Sequence, residues 1–176
     1  MSAVELELLE LAYELRPVRV AVLRSLGRVP GADVPLERGV EALLPRWLAR
    51  ALERLGYVEV LSREPGPHDL SRLRFAHRNR DQPPALEDLF FVAARRGLED
   101  AERRAREGAD YALASAVERA RMDLYEVFRL RLAAVLRAVQ LGGVSAVAGR
   151  LALEERVLAQ ALARLVEEWR RRFVGG

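Results

Sequence analysis

His68 and His77, nine residues apart in a segment rich in proline and arginine, are the two histidines of the chain. Imidazole suits proton transfer near neutral pH and metal binding. A metal site needs three or four converging ligands, however, and neither an H-x-x-x-H nor an H-x-x-E-H spacing occurs. Both residues read as structural or solvent-exposed histidines. Ser62, His68 and Asp69 supply the residue types of a nucleophilic triad, but no G-x-S-x-G elbow accompanies them. Glu99-Asp100, Glu154-Glu155 and Glu167-Glu168 are adjacent carboxylates. Neighbours i and i+1 point apart on a helix, so these pairs read as solvated faces rather than acid/base partners. No G-x-G-x-x-G or phosphate-binding loop is present. With no cysteine there is no disulfide, zinc–thiolate site, iron–sulfur cluster or thiol nucleophile, and with no lysine there is no Schiff-base chemistry. The expectation is a non-enzymatic protein that needs no cofactor and no metal.

Cations and aromatics remain. The 29 basic residues are all arginine and face 26 acidic ones, for a net charge of +3. The excess lies between Arg63 and Arg80, where five arginines meet only Glu64 and Asp69. Arg72, Arg74, Arg78 and Arg80 there, and Arg170 to Arg172 near the end, are candidates for contact with DNA phosphates or a partner protein. In a chain without lysine, arginine serves every cationic purpose, so such a run is less telling than usual. Trp47 and Trp169 each lie within an apolar stripe. Core packing is the default reading for them, and an edge shared with a partner subunit is the alternative.

The elements that must position these residues follow from periodicity. At 176 residues, with 51% hydrophobic and 31% charged, the chain has the profile of a folded protein of one ordinary or two small domains. Ser2-x-x-Glu5 is a capping-box pattern, and Val4, Leu8, Leu11 and Leu15 share one face of a helix that Pro17 ends. A strand is expected from Val18 to Ser25, then turns and short strand to Gly39. Pro45 opens a helix whose stripe is Trp47, Leu48, Ala51, Leu52 and Leu55, Gly56 stops it, and Tyr57 to Leu61 is a strand. Trp47, Leu48 and Tyr57 are the expected core or docking residues of this small mixed α/β domain, residues 1–62.

Residues 63–83 form a Pro/Arg-rich connector, and residues 84–176 carry only helical signals. A helix is expected from Pro84, capped by Asp81, with a stripe of Phe90, Ala93, Gly97, Ala101, Ala105 and Ala109. A second helix carries Leu124, Phe128, Leu132, Val135 and Val139. The last carries Leu151, Leu158, Leu162, Leu165, Trp169 and Phe173. Three to five helices packed as a bundle follow. The expected fold is mainly α: a small N-terminal α/β domain followed by an all-α helical bundle. The acidic start, Met1-Ser-Ala-Val-Glu-Leu-Glu, does not read as a secretory signal, and Ala138 to Gly149 is too short to span a bilayer. A cytoplasmic, nucleoid-associated protein with no membrane partner is expected.

Three segments carry a resemblance. Leu44-Pro-Arg-Trp-Leu-Ala-Arg-Ala-Leu-Glu-Arg-Leu-Gly-Tyr-Val-Glu-Val60 resembles the "L-P-x-W-L-A … L … G-x-V-E" phrase in the small B domain of archaeal subunits of the GINS DNA replication complex. Leu124 to Ala138 is similar to the "R-L-x-K-I-L" helix of the GINS helical A domain. Leu151-Ala-Leu-Glu-Glu-Arg-Val-Leu158, followed by Trp169, resembles its "L-T-x-E-E-x-x-L/Y" final helix. The small domain comes first, as in the class related to the eukaryotic Psf-two/Psf-three pair. Ala134 stands where lysine is usual in that family and Ala152 where a capping threonine is common.

The resemblance implies a non-catalytic structural subunit that assembles with a second GINS subunit of reversed domain order, typically as a 2:2 tetramer. It also implies binding to the MCM helicase and to a RecJ-like DHH-fold protein, with primase or polymerase contacted at the fork. Leu158, Leu162, Leu165, Trp169, Phe173, Leu124 and Phe128 are the subunit-interface candidates. A winged-helix transcription regulator with a helical dimerisation tail is the alternative, because Leu48 to Val60 followed by Arg63-Glu-Pro-Gly-Pro67 resembles its recognition helix, strand and wing. A helix that reads a major groove needs polar side chains at its start, yet this one offers only Arg46 and Arg50. An enzyme with a helical lid is the remaining reading.

Overall fold

The computed structural model describes residues 3–78 and 83–175. It is mainly helical, with a small antiparallel sheet near the N-terminus, and Val4–Arg63 and Glu64–Gly176 form two compact units.

In the first unit, helix α1 (Ala3–Leu15) leads into strand β1 (Pro17–Val22), followed after a loop by β2 (Glu41–Pro45), helix α2 (Arg46–Arg54) and β3 (Val58–Val60). The sheet order is β2-β1-β3, with both pairings antiparallel. Alternation on β1 puts Val18, Val20 and Val22 inside and Arg19 outside. Ala42 and Leu44 from β2, Val58 from β3 and the loop residue Leu36 complete this core, and α2 covers it with Ala49, Leu48 and Leu52. Tyr57 packs at its edge. Gly56 has φ +71°, the left-handed conformation that ends α2 without a Cβ penalty.

Two stripes read from periodicity lie differently: on α2 Leu48 and Leu52 meet the core as read but the rest of the stripe does not, and on α1 the stripe faces outward. On α2 the buried residue is Ala49, while Trp47 is 51% exposed and Ala51 and Leu55 are also exposed. On α1 the buried residues are Leu9 and Tyr13, while Val4, Leu8, Leu11 and Leu15 are each more than half exposed. A helix this rich in leucine has two apolar faces, and periodicity cannot say which one the core takes.

In the second unit, the segment read as a connector is helical from Pro67 to Arg78 (α3). Asp69 caps its start by accepting a 2.9 Å hydrogen bond from the Gly66 amide. The helix expected from Pro84 begins instead at Phe90 (α4, Phe90–Glu107); the proposed cap Asp81 lies outside the described residues. Helix α5 (Tyr111–Gln140) is a single 30-residue rod capped by Asp110, whose carboxylate accepts from the Leu113 amide at 2.9 Å. A short helical turn α6 (Val144–Val147) and a 3-10 turn lead to α7 (Leu153–Phe173).

Small residues let these helices approach closely. Ala94, Leu98 and Ala101 of α4, Val117 and Ala120 of α5, and Leu70 of α3 make one core cluster, with Leu124 packed against it. A methyl group on Gly97 would collide with the Pro65 carbonyl oxygen. Val135 and Val139 of α5 form a second cluster with Leu151 and Ala159, against which Leu162 and Ala163 pack.

Candidate interaction surface

The path of α7 is set by one buried cation. Arg131 on α5 is fully buried, and its guanidinium grips Glu155 of α7 with two hydrogen bonds of 2.6 Å. Its remaining donors reach the carbonyls of Pro84 (2.7 Å) and Arg150 (2.8 Å) and the imidazole of His77 on α3 (3.3 Å). Every partner is an acceptor, which is what a buried guanidinium requires. His77 is therefore neutral: its Nδ1–H donates to the Leu73 carbonyl at 2.9 Å and its Nε2 accepts from Arg131. Burial holds its pKa below the ordinary histidine value, with the Leu73 carbonyl pulling the opposite way and Arg131 adding to the depression.

Neither member of Glu154-Glu155 is solvated as the sequence suggested. Glu155 holds Arg131 and also accepts from the Ala152 amide at 2.8 Å. Alanine at position 152 has no oxygen to return that bond, so only half of a capping box exists. Glu154 points the other way and accepts from the amides of Leu89 (2.9 Å), Phe91 (3.0 Å) and Val92 (3.4 Å), the donors that α4 leaves unsatisfied. Burial raises its carboxyl pKa although these bonds pull it down. The other two acidic pairs lie on charged surfaces, where Glu99 meets Arg95 and Arg96, Glu167 meets Arg170, and Glu168 meets Arg171.

With Arg131 fixed on Glu155 and the apolar cluster advancing along both helices, α7 runs in the same direction as the end of α5. Helix α5 stops at Gln140, and α7 continues past it. All residues from Arg164 to Phe173 are exposed, including Leu165, Val166, Trp169 (58%) and Phe173 (68%). The Trp169 and Phe173 rings lie tilted beside each other, 5.6 Å apart between centroids. Leu158 and Leu162, nearer the root, are half-buried. Trp169 thus takes no part in the core, and neither tryptophan follows the core-packing default.

A second uncovered surface lies on the middle of α5. Met122, Tyr125 and Phe128 are exposed, and Phe128 stands edge-on to Phe91 of α4 at 6.3 Å and tilted against Tyr125 at 6.3 Å. Leu124, one residue from Tyr125, turns inward and is half-buried.

Two of the connector arginines are engaged within the fold. Arg74 pairs with Asp123 (3.0 Å) and Glu126 (3.4 Å), and Arg78 with Glu126 (2.9 Å), fastening α3 to α5. Those cations, Arg78 first, hold the Glu126 carboxyl below its usual range. Arg72 is exposed, and Arg80 lies outside the described residues. The triad types do not converge on a reaction either, because Asp69 is committed to the start of α3 and His68 is exposed.

Among the described residues no group of three His, Cys, Asp or Glu is placed to hold a metal ion, and no helix is long and apolar enough to cross a membrane. No protein-family model matches the chain, and no curated protein matches it.

Proposed function

We propose that this chain is a non-catalytic subunit of a GINS-type replication complex, of the class in which the small domain comes first. In this reading it pairs with a companion subunit of reversed domain order in a 2:2 tetramer, engages the MCM helicase and a RecJ-like DHH-fold protein, reaches primase or polymerase, and works in association with the nucleoid. The observation that carries the reading is the presence of two uncovered apolar surfaces on the helical unit. One is the Tyr125–Phe128 patch and the other the end of α7, and Phe128 stands about 18 Å of helix before Gln140, where α5 ends. A chain inside an assembly of more than two subunits needs two faces, and covering a leucine or phenylalanine fully gains about 1.5–3 kcal/mol.

The three sequence segments that resemble the family support the same reading, because they fall on β2–α2–β3, on α5 and on the start of α7 in family order. A winged-helix regulator has helices packed immediately ahead of the reading helix; here β1 and β2 precede α2.

Purification from native extract with mass determination tests the proposal. The expected product contains two copies of this chain and two of a companion of similar size, and it retains MCM. A single chain that ignores MCM at physiological salt overturns it.

A further inference from the structure

Helix α5 carries an uncovered seam along most of its length, inside one compact unit. From Tyr111 to Leu136, positions at alternating intervals of four and three residues form one stripe, on the side of the helix away from the buried Val117, Ala120, Val127 and Arg131. Tyr111 (87%), Met122 (69%), Tyr125 (59%) and Leu136 are its large exposed apolar side chains, and Leu132 is half-buried. Glu118 and Arg129, both exposed, are the charges on this stripe. A charge within a helix-pairing seam is costly unless it is matched, and for that reason it fixes orientation and register.

We propose that α5 of one copy of this chain packs antiparallel along α5 of a second copy, about a two-fold axis level with Asp123 and Leu124. In that register Tyr111 faces Leu136, Ser115 faces Leu132, Glu118 faces Arg129 and Met122 faces Tyr125, and symmetry makes each pair twice. A parallel pairing sets Glu118 against Glu118 and Arg129 against Arg129. An antiparallel pairing slid by one heptad sets Glu118 against Met122 or Leu136, and Arg129 against Tyr111 or Tyr125. The two charges therefore select one register, and it is self-complementary, as a two-fold interface requires. The ion pairs already formed agree with it. Glu118 meets Arg121 at 3.0 Å, and Arg121 also reaches Glu102 of α4. Arg129, which forms no ion pair among the described residues, extends this alternating row from the second copy, because a carboxylate accepts from more than one guanidinium. On the flanks Arg119 comes beside Glu126 of the second copy, which Arg74 and Arg78 also hold, and Arg121 comes beside its Phe128, so neither flank sets like charges together. A stable interface removes about 800 Å² from each partner. The paired length is about 38 Å of helix, and the two tyrosines, of a class that covers about 150–250 Å² each, supply a large share of that area. The proposal needs only a second copy of the chain and does not rest on the replication-complex reading.

Sedimentation of the purified full chain alone tests it, with no companion subunit present. A dimer is expected, weakened about tenfold or more by Met122→Gln with Tyr125→Gln. Both residues are exposed, so unchanged helical circular dichroism establishes that the variant still folds. Glu118→Arg alone and Arg129→Glu alone each weaken the dimer, and the two changes in one chain restore it. Cross-linking reads the orientation directly, since the chain has no cysteine of its own. Tyr111→Cys mixed with Leu136→Cys gives a disulfide-linked dimer on mild oxidation, whereas either variant alone does not, because its two thiols lie about 38 Å apart along the pair. A monomer at high micromolar concentration, a dimer indifferent to the Met122 and Tyr125 changes, charge variants without mutual rescue, or either cysteine variant linking to itself as readily as the mixture would each overturn the proposal. The companion-subunit reading is decided by a different measurement, the native-extract mass, so either can fail alone.

Discussion

Arg131 is the residue on which the second unit turns. Its fork meets Glu155, two main-chain carbonyls and the neutral imidazole of His77, so helices α3, α5 and α7 share one polar joint inside an otherwise apolar unit. Removing one partner of such a buried pair leaves an uncompensated charge. Arg131→Met should therefore cost about 3–5 kcal/mol in urea unfolding, while Arg131→Met combined with Glu155→Leu should recover a large part of that loss. His77 adds a pH dependence of definite sign. Unfolded, it titrates near 6.5, and in the fold its pKa lies lower. Below about pH 6.5 the unfolded chain binds the extra proton first. The stability that neutral His77 confers is thus complete above that value and is lost as the pH falls toward the folded pKa. A melting temperature measured against pH should decline through that window, and His77→Gln should flatten the decline.

Helix α4 illustrates how an element can depend on a residue far along the chain. Its N-terminal residue Leu89 sits at φ 64° and offers no capping side chain; the carboxylate of Glu154 does the capping from α7. Glu154→Ala should cost about 1–2 kcal/mol and speed hydrogen exchange at the Phe91 and Val92 amides, whereas Glu154→Gln, which keeps an acceptor oxygen, should lose less. The same physics explains why Pro84 is not the start of the helix. Once the first-turn donors are satisfied at Leu89 to Val92, the residues ahead of them are free to bring the Pro84 carbonyl to Arg131.

For the whole molecule, the decisive property is the amount of apolar surface left uncovered, and its division into separate patches. The Tyr125–Phe128 patch and the exposed end of α7 can be disabled one at a time. Tyr125→Arg and, separately, Trp169→Gln with Phe173→Gln should each weaken assembly about tenfold or more while leaving the helical circular dichroism unchanged. Sedimentation of the native-extract complex checks this, and a variant that assembles like the unaltered chain would remove its surface from the reading.

Much of this architecture was legible beforehand, for particular reasons. β1 declared itself because Val18, Val20 and Val22 alternate with Arg19, and a sheet with one buried face permits only that register. α7 declared itself because leucines at a 3.6-residue period have few other uses, and Trp169 and Phe173 on that face were the residues to suspect of an interface. What stayed hidden were decisions made by distant neighbours. Nothing around Ala49 or Trp47 says which of them α2 buries; the sheet's small footprint does. Nothing in Glu154-Glu155 says that one carboxylate seals a helix 62 residues away and the other neutralises Arg131, nor does Pro67 to Arg78 reveal that Asp123 and Glu126 of α5 hold its arginines. Sequence by itself determined most of the elements and their order, α3 and the start of α4 excepted, because propensity and periodicity act between residues a few positions apart. Tertiary structure alone decided which face of each helix is covered and which charges are spent inside, because burial and charge pairing depend on what arrives from the far end of the chain.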